Sequence, residues 1–253
     1  MRHPVMAALA AFGILSLAAM AASPAVAKDA SPPAWSVLTP ADAHALETLG
    51  AAEAEDAAAS SAIDQLTDES AAAPISSREV ASLAVRIVDS GDNQHLPFVI
   101  VDKPSARVLV FDAEGQLVGM APALLGMTRG DEAAPGIGDL EVSKIPVDER
   151  KTEAGRFLAR LGPAKGMDSV LWVDFDTSLS LHPVVTSNPR ERRLQRLRSA
   201  SPDDRRITHG CINVPADFYR DVVQTTFADT AGVVYILPDS KPLDAVFTRL
   251  AGQ

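Results

Sequence analysis

This 253-residue sequence predicts a compact, mainly β and mostly antiparallel domain with a few helices, preceded by a helical or disordered arm. Three observations predict it. The texture changes near Leu96, from an Ala-, Ser- and acid-rich stretch nearly free of aromatics to recurring β-rich runs. Turn residues separate those runs at short intervals. Helical periodicity is confined to a few segments.

The elements follow in order. Met1-Arg2-His3 is a short positive start, Met6 to Met20 an uncharged apolar run, and Ala25-Val26-Ala27 a small-residue cleavage site. Residues 1–27 therefore read as a cleaved export signal, too short for a retained span. Residues 28–94 read as the arm, a linker or spacer with helices at Pro40–Glu55 and Ser77–Val88. The second helix places Val80, Leu83, Ala84 and Ile87 on one face.

The β domain occupies residues 95–240. Phe98–Val101 and Arg107–Phe111 are strands around the turn Asp102–Ala106, and Glu114-Gly115 turns into Leu117–Leu125. Further strands are expected at Gly138–Val142, Gly155–Leu161, Val170–Phe175, Leu179–His182 and Gly232–Leu237. Arg190–Ala200 reads as a basic helix and Pro215–Phe227 as a second helix, with Pro215 in its first turn. Residues 241–253 form a tail.

The net charge of −10 is unevenly placed, because residues 28–74 hold nine acidic side chains against one Lys. The remainder is nearly neutral, which argues against nucleic acid as a partner. Cys211 is the single cysteine. In an exported chain it cannot form an intramolecular disulfide, so a free thiol needs a reason. The inert alternative is a small buried apolar side chain. The run Thr208-His209-Gly210-Cys211-Ile212-Asn213 favours chemistry over that alternative. A thiol needs a proton acceptor and oxyanion donors to carry out acyl transfer. His182 and His209 are the nearby imidazole candidates, and Gly210 permits a tight backbone that aims amides at an oxyanion. His95 reads as a surface residue.

That run resembles the [Ser/Thr]-His-Gly-Cys-hydrophobic-Asn signature of the L,D-transpeptidase catalytic domain, also called the YkuD-type domain. Val99–Pro104 and Lys151–Phe157 are similar to further elements of that family, in the expected order. The resemblance covers about Leu96 to Pro238 and implies a β-sandwich or barrel-like catalytic domain. It implies Cys211 as nucleophile, His182 as proton donor and acceptor, and His209 as a supporting imidazole. Pro183 would supply the carbonyl that orients His182, and backbone amides around Gly210 and Cys211 would hold the oxyanion. Thr208, Asn213 and Arg206 are the candidate substrate-binding residues.

The implied reaction is acyl transfer from a peptidoglycan tetrapeptide stem to an amine, with release of D-Ala, in the periplasm. No metal or organic cofactor is implied, and the membrane is met only through the export signal. Two rivals share these residues: a hydrolase on the same scaffold, and a peptidoglycan-binding protein with lapsed catalysis. The chain departs from the family in three places. The 28 residues between His182 and Cys211 exceed the usual spacing, and the excess coincides with a basic insertion at about 189–202. Glu153 stands where Pro is frequent, and no Arg follows the Cys-hydrophobic pair. The inserted arginines either solvate an exposed helix or attract carboxylates, from the stem peptide, from an acidic or wall-attached protein, or from the acidic arm.

Overall fold

The computed structural model describes residues 77–250, with Ser77 and Arg78 described by backbone alone. The export signal and the helix expected at Pro40–Glu55 lie outside the described residues. Among the described residues no helix is long and apolar enough to cross a membrane.

Among the described residues ten strands form the core: β1 (Phe98–Asp102), β2 (Arg107–Phe111), β3 (Leu117–Pro122), β4 (Leu125–Gly126), β5 (Gly155–Ala164), β6 (Met167–Asp174), β7 (Leu179–Pro183), β8 (Arg206–Thr208), β9 (Ile212–Val214) and β10 (Gly232–Ile236). Eight of them make one sheet in the order β3-β2-β1-β10-β5-β6-β7-β9. Most neighbours are antiparallel, but β1–β10 and β7–β9 run parallel, so the sheet is mixed. Beyond β3 the chain returns beside β9: β4 pairs with β8, and Leu124 bridges Asn213. The large sheet thereby nearly closes into a barrel-like form.

Period-two alternation explains the unbroken apolar runs of the central strands. Val99 and Val101 of β1 and Val234 and Ile236 of β10 enter one core cluster. Phe98, Ile100, Val233 and Tyr235 enter a second cluster on the opposite face. Helix α1 (Ser77–Asp89) covers the second cluster with Val80, Leu83, Ala84 and Ile87, joined by Phe247 and Leu250 from the C-terminal segment. Full burial of Leu83 or Ile87 contributes about 1.5–3 kcal/mol each. The apolar stripe of this arm helix is thus spent on the sheet, as is part of the tail.

The helical run 216–227 covers the first cluster with Phe218, Tyr219, Val222, Val223 and Phe227. It comprises α3 (Ala216–Phe218), a π-helical stretch (Tyr219–Gln224) and α4 (Thr225–Phe227). A short α5 (Leu243–Val246) follows β10.

Two expected elements differ. No strand forms at Gly138–Val142; short 3-10 turns stand at Ile137–Asp139 and Val142–Lys144. Gly136 is left-handed there, and Leu140 and Val142 are exposed, so no neighbouring strand takes up the backbone. The basic insertion is not one long helix but a 3-10 turn (Pro189–Glu191) followed by the five-residue α2 (Arg193–Leu197). Arg192 adopts a left-handed conformation at φ 48°, which interrupts the helical path.

Candidate active site

The parallel pair β7–β9 sets the geometry. Its register aligns Leu181 with Ile212 and His182 with Asn213. Leu181 and Ile212 point into the apolar core. Alternation therefore sends Ser180, His182, Cys211 and Asn213 to the other face. The Ser180 hydroxyl lies 3.6 Å from Cys211 Sγ, and the thiol reaches the Ser178 carbonyl at 3.6 Å. Asn213 Nδ2 lies 3.1 Å from His182 Nε2, and His182 Nδ1 lies 2.8 Å from the Pro183 carbonyl.

The proton positions follow from chemistry. A carbonyl oxygen only accepts, so His182 Nδ1 carries the hydrogen and donates to Pro183. Nε2 is left with its lone pair toward the thiol and Asn213. The contact is the one that the resemblance implies between His182 and the Pro183 carbonyl.

Cys211 is half-buried and has no disulfide partner. Burial pushes the thiol up, but the hydrogen bond and charge of His182, together with the Ser180 hydroxyl and amide, outweigh it. The thiol ends below its ordinary range. His209 is also half-buried; burial and then the charges of Arg150 and Arg193 push its imidazole down, against Glu191.

The loop carrying Gly210 is held from two sides. Thr152 Oγ1 donates to the Gly210 carbonyl at 2.6 Å and accepts from the Gly126 amide at 2.9 Å. Thr208 Oγ1 donates to the Cys211 carbonyl at 2.7 Å and accepts from the Gly210 amide at 3.2 Å. Gly210 sits at φ 141°, and a Cβ there would lie 2.8 Å from the Lys151 carbonyl. Glycine is required at this position for both reasons. Its amide, expected to serve an oxyanion, is engaged by Thr208.

Thr208, Asn213 and Arg206, the expected substrate contacts, are all buried, with side chains committed inside the protein. Arg206 pairs with Asp239 at 2.5 Å and donates to the Lys103 carbonyl at 3.0 Å. Asn213 Oδ1 accepts from Arg193 Nη1 at 2.8 Å. These three residues shape and support the site from beneath rather than opening onto it. His95 is exposed and belongs to no part of it.

Four participants were not named as site residues from the sequence. Ser180 is an ordinary strand serine, and Thr152 lies far from Gly210 in sequence. Arg193 belongs to a run of arginines of which Arg190, Arg192 and Arg198 are exposed. Lys103, within a turn, is fully buried and donates to Asp131, Gly130 and Thr152. Only the turn's Lys-Pro pair and the spacing of Thr152 within Lys151–Phe157 hinted at these positions.

Glu153, where the family often has Pro, accepts from Thr177 Oγ1 at 2.7 Å, in the turn that precedes the Ser178 carbonyl. Burial pushes its carboxyl up, and nearby Asp174 adds to this. An open cavity beyond Glu153, bounded by Glu132, Pro135 and Lys241, has neither Cys211 nor His182 in its wall. Among the described residues no group of three His, Cys, Asp or Glu side chains is placed to hold a metal ion.

The arrangement therefore brings together a depressed thiol, an imidazole of defined tautomer and a constrained glycine loop. Compared with models of known families and with curated proteins, the chain matches none.

Proposed function

We propose that the chain is an exported L,D-transpeptidase of peptidoglycan that works through Cys211. The observation that carries the reading is the shared face of β7 and β9. There a depressed thiol meets a histidine whose Nδ1 is tied to Pro183, within the signature Thr208–Asn213. Residues 1–27, read as an export signal, support a periplasmic location for the activity.

In the proposed reaction His182 Nε2 takes the Cys211 proton as Sγ attacks the carbonyl of the L-centre of diaminopimelate (or its equivalent) in a tetrapeptide stem. The Gly210 amide is engaged, so the Cys211 amide is the main donor to the oxyanion. Collapse breaks the C–N bond, and D-Ala leaves as an amine with the proton returned by His182. An acceptor amine then gives a proton to His182 and attacks the thioester. The new amide forms, and the thiol regains its proton. His209 supports the site, and no step needs a metal or organic cofactor.

Incubating residues 28–253 with a disaccharide-tetrapeptide, with and without an amine acceptor, tests this by mass spectrometry of the products. Cross-linked product that disappears in Cys211→Ala is the expected result. Tripeptide alone would assign a hydrolase, and no product in either protein would sink the enzymatic reading in favour of binding.

A further inference from the structure

The basic insertion reaches the working histidine through one side chain. Arg193 Nη1 donates to Asn213 Oδ1 at 2.8 Å, while its Nε pairs with Glu191 at 2.5 Å. A guanidinium has no acceptor, so Asn213 must present Oδ1 to it. The amide nitrogen Nδ2 is then turned toward His182 Nε2, 3.1 Å away. The Asn213 backbone is also fixed, donating to the Leu124 carbonyl at 2.9 Å and accepting from its amide at 2.8 Å. The chain from Arg193 to the Pro183 carbonyl thus admits one direction of hydrogen bonding.

We infer that Arg193 is a positioning residue that locks the Asn213 amide and thereby holds His182 as the neutral, Nδ1-protonated ring. Protonating Nε2 would place its hydrogen against the Asn213 amide hydrogens. A free amide would rotate and accept that proton through Oδ1; an amide held by Arg193 does not. The insertion therefore raises the cost of the thiolate–imidazolium pair without abolishing it, so that the thiol stays below its ordinary range and release of the amide would favour the pair further. Of the other charged or titratable groups of this network, Cys211, just before β9, faces His182, while Glu191 of the insertion and His209 of the loop face Arg193, the last also near Arg150.

The inference rests on Cys211 and His182 being the working pair, but its tests use no peptidoglycan, so its failure is separable from failure of the transferase reading. Cys211 is the single cysteine, so iodoacetamide alkylation against pH reports it alone. In Arg193→Gln the amide is released, and alkylation on the acidic limb should rise by roughly threefold to tenfold. Arg193→Lys, whose ammonium also only donates, should restore the parent profile. A Gln variant that superimposes on the parent, or moves toward higher pH as simple loss of a positive charge would dictate, overturns the inference.

Nitrogen NMR of the parent protein provides a check that depends on no variant. The expected ring has a hydrogen on Nδ1 and none on Nε2 at neutral pH. A hydrogen on Nε2 with Nδ1 bare would overturn the inference as well.

Discussion

Two buried polar networks meet at the Gly210 loop, and they are built on opposite terms. The first is ionic. Lys103 Nζ lies 2.9 Å from Asp131 and 3.3 Å from Asp239, and it donates to the carbonyls of Gly130 and Thr152. Asp131 also accepts from the amides of Asp239, Ser240 and Lys241, and Asp239 pairs with Arg206. Two buried cations face two anions, the exposed Arg129 adds a contact to Asp239 at 3.4 Å, and Arg206 Nε is the one buried atom of the four buried side chains left without a partner. The second network is the set Cys211, His182, Asn213, Ser180 and Arg193, in which the thiol contacts are loose, at 3.6 Å.

Thr152 joins the two, since its carbonyl accepts from Lys103 and its hydroxyl donates to the Gly210 carbonyl. The contrast teaches a division of labour. An ionic cluster in which both carboxylates and the ammonium are fully engaged has no spare group for chemistry and fixes the chain. The looser network leaves the thiol with only long contacts and shares the imidazole lone pair with the Asn213 amide, and it depends on its neighbour for position.

The largest effect should follow from emptying the ionic cluster. Lys103→Met strands the Asp131 and Asp239 carboxylates, and urea unfolding should show a loss of about 3–5 kcal/mol. Both carboxyls resist burial, which raises them, through hydrogen bonds and cations that hold them below the usual range. A depressed folded value means that the unfolded chain takes up protons first. Stability from these groups is present at neutral pH and is lost as pH falls below about 4. Unfolding midpoints followed from pH 7 to pH 2 should drop in the parent and change less in the Met variant. An equal acid sensitivity would assign it to other groups.

Gly210→Ala separates the two networks more sharply. It forces a Cβ against the Lys151 carbonyl at a φ that alanine avoids, at about 1–3 kcal/mol, while the ionic cluster is untouched. Product formation and alkylation should fall far more than the unfolding midpoint. A midpoint loss as large as that of Lys103→Met, with alkylation preserved, would break the division. The smallest effect belongs to the exposed arginines: Arg190, Arg192 and Arg198→Gln together should leave the unfolding midpoint unchanged. Unchanged turnover and salt dependence would assign them to solvation of the insertion, and a weaker dependence to attraction of an anionic partner.

Much of this was legible in the sequence, for physical reasons. Strands buried on both faces read as unbroken apolar runs, which is why Phe98–Val101, Arg107–Phe111 and Gly232–Leu237 stand out. The helical runs at 77–89 and 216–227 show because each presents one apolar stripe to the sheet. Cys211 stood out as a candidate because six consecutive residues, Thr208–Asn213, mark one loop, whereas His182 was named from the end of its strand and from the resemblance. Long-range contacts were not. Lys103 meets Asp131 and Asp239 only after folding, and nothing local marks a turn lysine as buried. Arg193 looks like its exposed neighbours until Arg192 turns left-handed and Asn213 lies beneath it. The false strand at Gly138–Val142 has the right residue types but no edge to join.

The most direct test is the pH dependence of Cys211 alkylation in the parent and in His182→Gln. The parent midpoint should lie below that of a free thiol, and the Gln variant should move it upward, because the imidazole that offsets burial is gone. A parent midpoint at or above the free-thiol value, unmoved by His182→Gln, would contradict the account of β7 and β9 as the bearers of an activated thiol.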